Sequence, residues 1–371
     1  MSYLDLSAVD KIYNPRGHAV HAVRGLDLAI AQGEIVALLG SSGCGKTSTL
    51  RMVAGFEAVS AGRITLDGVP IHTLPPARRG VAMAFEGYSL YPPLTVRENI
   101  AFALKAERAS ASEVQTRVTE IAQLLEIESI LDKYPSSISG GQQQRASLGR
   151  ALIRHAKLHL LDEPMGQLEP QLRALLRGRL KHFIRERGLT AILVTHDQTE
   201  ANALADRIAV MEDGELQQFD TPLNLKTHPA NLFTGTFIGE PPMNVFAASI
   251  ELAEGKLRFG LDGVALDYPA EVFSEGLRMR LGAAGRCAIG VRPHAVRLVQ
   301  AGLSARVAVN QWLGDQTHIA ADFAGGTIVS VTHQRTHAPE GSEIGIEIAP
   351  DDIHIFEHAS GAAISHGGQL A

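Results

Sequence analysis

The residues best suited to chemistry begin at position 40. Gly40, Ser41, Ser42, Gly43, Cys44, Gly45, Lys46 and Thr47 fit the pattern GxxxxGK[ST], and Ser48 follows. They come after the apolar run Ile35-Val-Ala-Leu-Leu39 and before Leu50, Met52 and Val53, the strand–loop–helix setting that this pattern needs. Glycines without Cβ atoms let backbone N–H groups converge on a β-phosphate, and the next helix presents its positive N-terminus. Lys46 is expected to reach the β and γ oxygens, and Thr47 to supply a ligand to Mg²⁺. The pattern predicts a nucleoside triphosphate site. Cys44 reads as a small loop filler rather than a redox group.

A second constellation closes the run Leu158-His-Leu-Leu-Asp-Glu163. An apolar strand ending in two acids suits phosphoryl chemistry: Asp162 would hold the Mg²⁺ shell, and Glu163 would polarise the attacking water. A third is Ile138-Ser-Gly-Gly-Gln142. Ser139 can cap a helix whose bare first amides, at Gly140 and Gly141, make a second anion site, with Gln142 beside them. Ala146, Leu148, Ala151 and Leu152 would be its buried face. Two phosphate-binding helix starts on one chain favour a head-to-tail dimer, each Ser-Gly-Gly closing on the other subunit's nucleotide.

The elements that must position these residues are legible as short apolar runs. Ile35–Leu39, Leu158–Leu161 and Ala191–Val194 each end in polar loops, as buried parallel strands do. Between the last two, Leu172, Leu175, Leu176, Leu180, Phe183 and Ile184 keep i, i+3, i+4 spacing and predict an amphipathic helix. Strand, helix, strand argues a parallel α/β sheet. Gly62–Gly68 reads as a strand of an antiparallel hairpin, and residues 111–130 read as helix. Beyond Pro242 the pattern turns to period two, as in Ile344-Gly-Ile-Glu-Ile348, which predicts a small all-β region. The Gly/Ser/Ala-rich tail from Ala359 is expected to be frayed.

The segment Ile138–Gln142 resembles the LSGGQ signature of ATP-binding-cassette proteins, with Ile138 in place of Leu. The similarity runs along the whole chain, towards the ATPase subunit of bacterial solute importers of the maltose, glycerol phosphate, polyamine and ferric-iron type. It implies a P-loop NTPase core with an antiparallel β subdomain and a helical subdomain at about 87–155. That nucleotide-binding domain would span residues 1–236. A hinge at 237–244 would lead to an oligonucleotide-fold-like regulatory and dimerisation domain at 245–358, and a flexible tail at 359–371. Gly290-Val-Arg-Pro-His294 resembles that domain's GIRPE segment.

The resemblance also implies roles. Tyr13 would stack on adenine, and His196, in Thr195-His-Asp-Gln198, would contact the γ-phosphate as a switch. The aromatic, Pro-rich stretch Tyr88 to Asn99 would grip a short cytoplasmic helix of a membrane subunit. Lys46 and His196 would stabilise the transferring phosphoryl group. There are two departures. Glu86 stands where the family usually has Gln, so it is a further candidate metal ligand. Met165-Gly-Gln-Leu-Glu169 replaces the usual SNLD or SALD loop, with Glu169 one methylene longer than Asp.

Composition agrees with this reading. The 371 residues are 45% hydrophobic and 20% charged, globular proportions with room for two or three domains. A formal charge of −6 gives no basic face for nonspecific nucleic-acid binding. Two cysteines make no disulfide framework, and neither a leader nor a spanning segment is expected. The expected protein is a MgATP-hydrolysing importer subunit, peripheral at the cytoplasmic face of the bacterial inner membrane. It would pair as a homodimer, or as a heterodimer with another ATPase chain. Its other partners would be integral permease subunits and, indirectly, a solute-binding protein. A sugar, polyol or glycerol-phosphate-type solute is favoured over polyamine, phosphonate or iron. A nucleic-acid-acting ATPase is the distant alternative.

Overall fold

The computed structural model describes residues 2–14 and 17–370. The chain divides into two compact units, Met1–Pro222 and Leu223–Ala371. In the first unit, β1 (Leu4–Tyr13) and β2 (Val20–Ile30) precede β3 (Ile35–Gly40) and α1 (Lys46–Ala54). β4 (Ala61–Leu66), β5 (Val69–Pro70) and β6 (Val81–Ala84) follow. Three helices come next: α2 (Val96–Ala106), α3 (Ala111–Leu125) and α4 (Gly140–Leu152). The unit ends with β7 (Leu158–Asp162), α5 (Pro170–Glu186), β8 (Ala191–Thr195), α6 (Gln198–Leu204), β9 (Arg207–Glu212) and β10 (Glu215–Asp220).

The central sheet has the order β10-β9-β3-β8-β7-β6. β3 runs parallel to β8 and β9, and β7 parallel to β6 and β8. Every residue of β3, β7 and β8 is buried, which is why these strands read as near-continuous apolar runs rather than alternations. The antiparallel sheet β2-β1-β4-β5 packs beside it, and Leu4, Leu38, Leu50, Ile64, Leu160 and Val194 share one core. Each such side chain contributes about 1.5–3 kcal/mol of burial.

The second unit contains α7 (Pro222–Thr227, from Leu223 onward), α8 (Leu232–Phe237), β11 (Asn244–Ala253), β12 (Lys256–Gly260), β13 (Ala265–Pro269) and α9 (Glu275–Ala284). Then come β14 (Arg286–Val291), β15 (Arg297–Val299), β16 (Leu303–Trp312), β17 (Thr317–Phe323) and β18 (Gly326–Thr332). β19 (Glu343–Glu347), β20 (Ile353–Glu357) and β21 (Ala363–His366) complete it. They form two sheets, ordered β13-β12-β11-β14-β20-β21 and β15-β19-β16-β17-β18, around Phe259, Phe273, Ile289 and Ile355.

The two units meet in sequence upstream of the expected hinge at 237–244, because Arg292 ties α7 and α8 to the β region. Its guanidinium donates to the carbonyls of Lys226 at 2.9 Å and Gly235 at 2.8 Å, and to that of Ile238. The tail is not frayed within the described residues. β21 pairs antiparallel with β20, and Leu370 is buried in the core. Helix α9 was not anticipated; it is capped by Ser274 and buries Leu277 and Leu281. No helix among the described residues is long and apolar enough to cross a membrane.

Candidate active site

The phosphate-binding pattern lies where β3 turns into α1. Gly43 and Gly45 hold φ of 83° and 102°, the left-handed region that favours glycine. A Cβ on Gly45 would stand 2.3 Å from the Ala22 carbonyl oxygen, and one on Gly40 would stand 2.2 Å from that of Met211. The loop is therefore close-packed from behind, while Ser41, Ser42 and Gly43 are exposed. Lys46 is 7% exposed, and its ammonium donates to the Gly40 and Ser41 carbonyls, both at 2.8 Å. Cys44 is buried, 3.6 Å from Lys46 Nζ, in the filler position expected of it. Tyr13 ends β1, its hydroxyl 3.1 Å from Ser48 Oγ and its ring under Lys11 Nζ at 4.5 Å.

The ends of β8, beside β3, and of β7, one strand further on, bring His196 and the two acids to this loop's side of the sheet. Asp162 closes β7 at 3% exposure, and its Oδ1 is buried without a partner. Burial first, and then the Glu86 charge, push its carboxyl up to about 6, against the pull of Arg51 and Lys46. An orphaned buried carboxylate oxygen at the end of β7, two strands over from the β3 that leads to Thr47, fits a hard divalent cation completed by phosphate oxygens. No cluster of three or more His, Cys, Asp and Glu able to hold a metal occurs among the described residues, so a cation here would depend on its nucleotide. Glu86 lies on the exposed loop after β6.

Glu163 follows at φ 46° and meets the His196 ring. Nδ1 lies 2.9 Å from Oε1 and 2.8 Å from Oε2. A carboxylate only accepts, so the Nδ1–H donates, which leaves Nε2 for another partner. His196 is held at the end of β8, where Asp197 caps α6.

Ser139 caps α4 in a reciprocal box with Gln142: Gln142 N–H donates to Ser139 Oγ at 3.4 Å, and Ser139 N–H to Gln142 Oε1 at 3.0 Å. A Cβ on Gly140 would stand 2.8 Å from Gln167 Oε1 and 3.1 Å from the Tyr88 hydroxyl, so the loop after Glu163 packs on the bare helix start. No hydrogen bond among the described residues joins residues 139–142 to 40–48.

Two positioning residues carried no distinct sequence signal. Gln144, 4% exposed, donates to the Glu163 carbonyl at 2.8 Å and accepts from Gln167 N–H at 2.9 Å. Arg173 on α5 reaches Asp197 Oδ2 at 3.1 Å and the carbonyls of Leu168 at 3.0 Å and Gly166 at 3.4 Å. It thereby joins the loop after Glu163 to the loop that carries His196. Glu169 is the N-cap of α5 but makes no side-chain cap bond.

The Tyr88–Asn99 stretch borders a cavity of about 480 Å³ lined by Phe56, Phe85, Tyr91, Phe102 and Arg150, among others. Phe56, Tyr91 and Phe102 are 54%, 40% and 46% exposed, and Arg150 lies over the Tyr91 ring at 4.5 Å. Asn99, buried, pins the segment by accepting from Tyr91 N–H at 2.7 Å and donating to the carbonyls of Tyr91, Leu94 and Thr95.

Comparison with known proteins agrees with this arrangement. Residues 23–166 match the ABC transporter family, and residues 289–356 match the TOBE domain. The chain is 39% identical to the sn-glycerol-3-phosphate import ATP-binding protein UgpC 1 of Rhizobium johnstonii, over 93% of this chain and 92% of that one. It is 38% identical to the xylose/arabinose import ATP-binding protein XacK of Haloferax volcanii, over 99% and 96%. Among solved structures, a dimeric ATP-binding cassette in a post-hydrolysis state bound to ADP and Pi aligns with a TM-score of 0.55. The identity is 28%, and the match covers 59% of this chain and 98% of that one.

Proposed function

The chain belongs to the ABC transporter family, as an ATP-binding subunit with a TOBE domain, and from that premise we propose that it drives solute import by hydrolysing MgATP between two cassettes. The observation that carries the hydrolytic part is the Glu163–His196 contact at the ends of β7 and β8, one sheet edge with the loop of Lys46. In this reading Glu163 takes the proton of the attacking water. His196, oriented through Nδ1, turns Nε2 to the γ-phosphate, where it must carry a proton to donate to a phosphate oxygen. The amides of residues 43–48 and the Lys46 ammonium hold the β- and γ-phosphates, and Tyr13 stacks on the base. Thr47, Asp162 and Glu86 would hold Mg²⁺, which when bound neutralises charge on the β- and γ-phosphates.

The Ser139, Gly140, Gly141 and Gln142 helix start would close on a partner cassette's nucleotide. This is supported by its lack of hydrogen bonds to the chain's own P-loop and by the dimeric cassette that the fold resembles. The exposed aromatic cavity beside Tyr91 would receive a helix of a membrane-embedded permease at the cytoplasmic face, which an outside binding protein supplies with solute. The relatives' printed substrates favour a sugar, polyol or glycerol phosphate. The second unit would serve regulation and dimerisation.

The test is steady-state Mg²⁺-dependent ATP hydrolysis against protein concentration. The wild type is expected to gain turnover more than linearly, as a dimerising enzyme does. Glu163→Gln is expected to lose at least about 100-fold in kcat while still binding ATP and accumulating as a dimer. Normal turnover in Glu163→Gln would remove that residue from the role of base.

A further inference from the structure

The second unit holds a cavity of about 600 Å³, inside the about 300–1,000 Å³ range of small-molecule sites, and nothing in the ATPase reading uses it. Its walls differ in charge. Lys226 at the end of α7, with Arg292 and His294 just past β14, make one side. Asp351 and Asp352, ahead of β20, make the other, where Arg297 lies 3.7 Å from Asp352. Gly367 keeps the chain close there, since a Cβ on it would stand 1.5 Å from the Asp351 carbonyl oxygen.

Arg292 decides what such a cavity attracts. It is 7% exposed, and its Nη atoms are satisfied by the carbonyls of Lys226, Gly235 and Ile238. Its Nε has no partner, and no carboxylate pairs with it among the described residues. Carbonyls meet its N–H groups without cancelling its charge, so a buried positive charge is left facing the cavity. Nearby imidazoles register the same field. Burial first, then the charges of Lys226 and Arg292, lower the pKa of His294. Burial, then repulsion from His366, Arg292 and His228, bring His354 down to about 3.

We propose that this cavity binds a phosphomonoester that carries free hydroxyl groups, a sugar phosphate or polyol phosphate. The phosphoryl group lies against Lys226, Arg292 and His294, and hydroxyls donate to Asp351 and Asp352. Inorganic phosphate would satisfy one wall and face two carboxylates across the other. An uncharged sugar would leave Arg292 uncompensated. The ligand would sit on the stretch that Arg292 ties down, through which the chain enters the second unit.

The test is calorimetric titration of the full chain, with the nucleotide site already saturated by MgADP, using glucose 6-phosphate, inorganic phosphate and glucose as separate probes. Glucose 6-phosphate is expected to bind with a Kd below about 1 mM. Lys226→Glu and His294→Glu, both at exposed positions, should weaken it at least tenfold. The double variant Asp351→Asn, Asp352→Asn should weaken glucose 6-phosphate more than inorganic phosphate. Proton uptake in mildly acidic buffer, read from the dependence of the heat on the buffer's ionisation enthalpy, should accompany binding. The anion offsets the Lys226 and Arg292 charges on His294, whose other titratable neighbours are His318 and His333. Absence of heat with glucose 6-phosphate overturns the proposal, as does binding indifferent to both charge reversals. Glucose binding as tightly would overturn the phosphoryl assignment, and inorganic phosphate binding as tightly would overturn hydroxyl recognition.

Discussion

A stacking side chain acts on substrate and transition state alike, which makes Tyr13 separable from the groups that act on the γ-phosphate. Its hydroxyl, 3.1 Å from Ser48 Oγ, sets the ring beside the start of α1, where the phosphate loop meets the helix. Tyr13→Ala is expected to raise the KM for ATP about 5- to 30-fold, the worth of an aromatic stack of about 1–2 kcal/mol, with kcat within about twofold of wild type. Tyr13→Phe should stay near wild type, because the hydroxyl orients a ring that β1 already positions. A fall in kcat alone for Tyr13→Ala would exclude the adenine platform. The same residue-by-residue view explains which proposed site groups stood out in the sequence. Lys46, Asp162, Glu163 and His196 stand at fixed places in motifs. Gln144 is one of three successive glutamines and Arg173 one of many arginines on α5, and only their buried partners set them apart.

Elements rather than single side chains place the loops that carry Glu163 and His196, and Arg173 joins the two. From α5 it holds Asp197, the cap of α6, and also the Leu168 and Gly166 carbonyls in the loop that packs on Gly140. Arg173→Ala should therefore lower kcat about 10-fold or more with KM little changed, since the proposed nucleotide contacts lie on β3 and α1 instead. Arg173→Lys, which keeps one of the contacts, should recover part of the loss, and an equal rise in KM would point to general loosening. The elements themselves were largely legible. β3, β7 and β8 are buried on both faces, so they stand out as near-continuous apolar runs, and α5 carries a full helical stripe. Helix α9 was not legible, because it buries only Leu277 and Leu281, too few to set a period. The tail was misread for a related reason. Its glycines and serines signal fraying in isolation, yet β21 gains order from pairing with β20 and from burial of Ser365 and His366, which no local pattern reports.

At the scale of the whole molecule, buried imidazoles that must stay neutral lose stability in acid, while Asp162 and Glu200 of the first unit, pushed up by burial to about 6 and about 7, gain it, so the loss falls chiefly on the second unit. In the first unit His159 on β7 is fully buried, and desolvation lowers its pKa to about 4. In the second, His354 and His366 share a contact between their Nδ1 atoms at 2.9 Å, which one neutral ring can donate and the other accept. Burial lowers them to about 3 and about 4. An unfolded His titrates near 6.5. Above that value neither state binds the proton and the folded state keeps its full stability. As pH falls from about 6.5 towards 4, the unfolded chain takes up protons that the folded chain refuses, so stability is lost over that window. For His159 alone the loss at pH 5 is about 2 kcal/mol. Calorimetric unfolding at pH 7.5 and pH 5 should show a lower Tm at the acid value for the transition of the second unit, with the first unit shifted less because Glu200 and Asp162 offset His159. His159→Leu should shrink the first unit's acid shift, whatever the substitution does to Tm at pH 7.5, because the variant has no imidazole to protonate when the strand unfolds. His366→Asn keeps an acceptor for His354 and should shrink it for the second unit while leaving the contribution of His159 in place. If both variants keep the full acid sensitivity of the wild type, the buried imidazoles are not its source, and carboxylates held below their ordinary value, such as Asp10 and Asp197, must be.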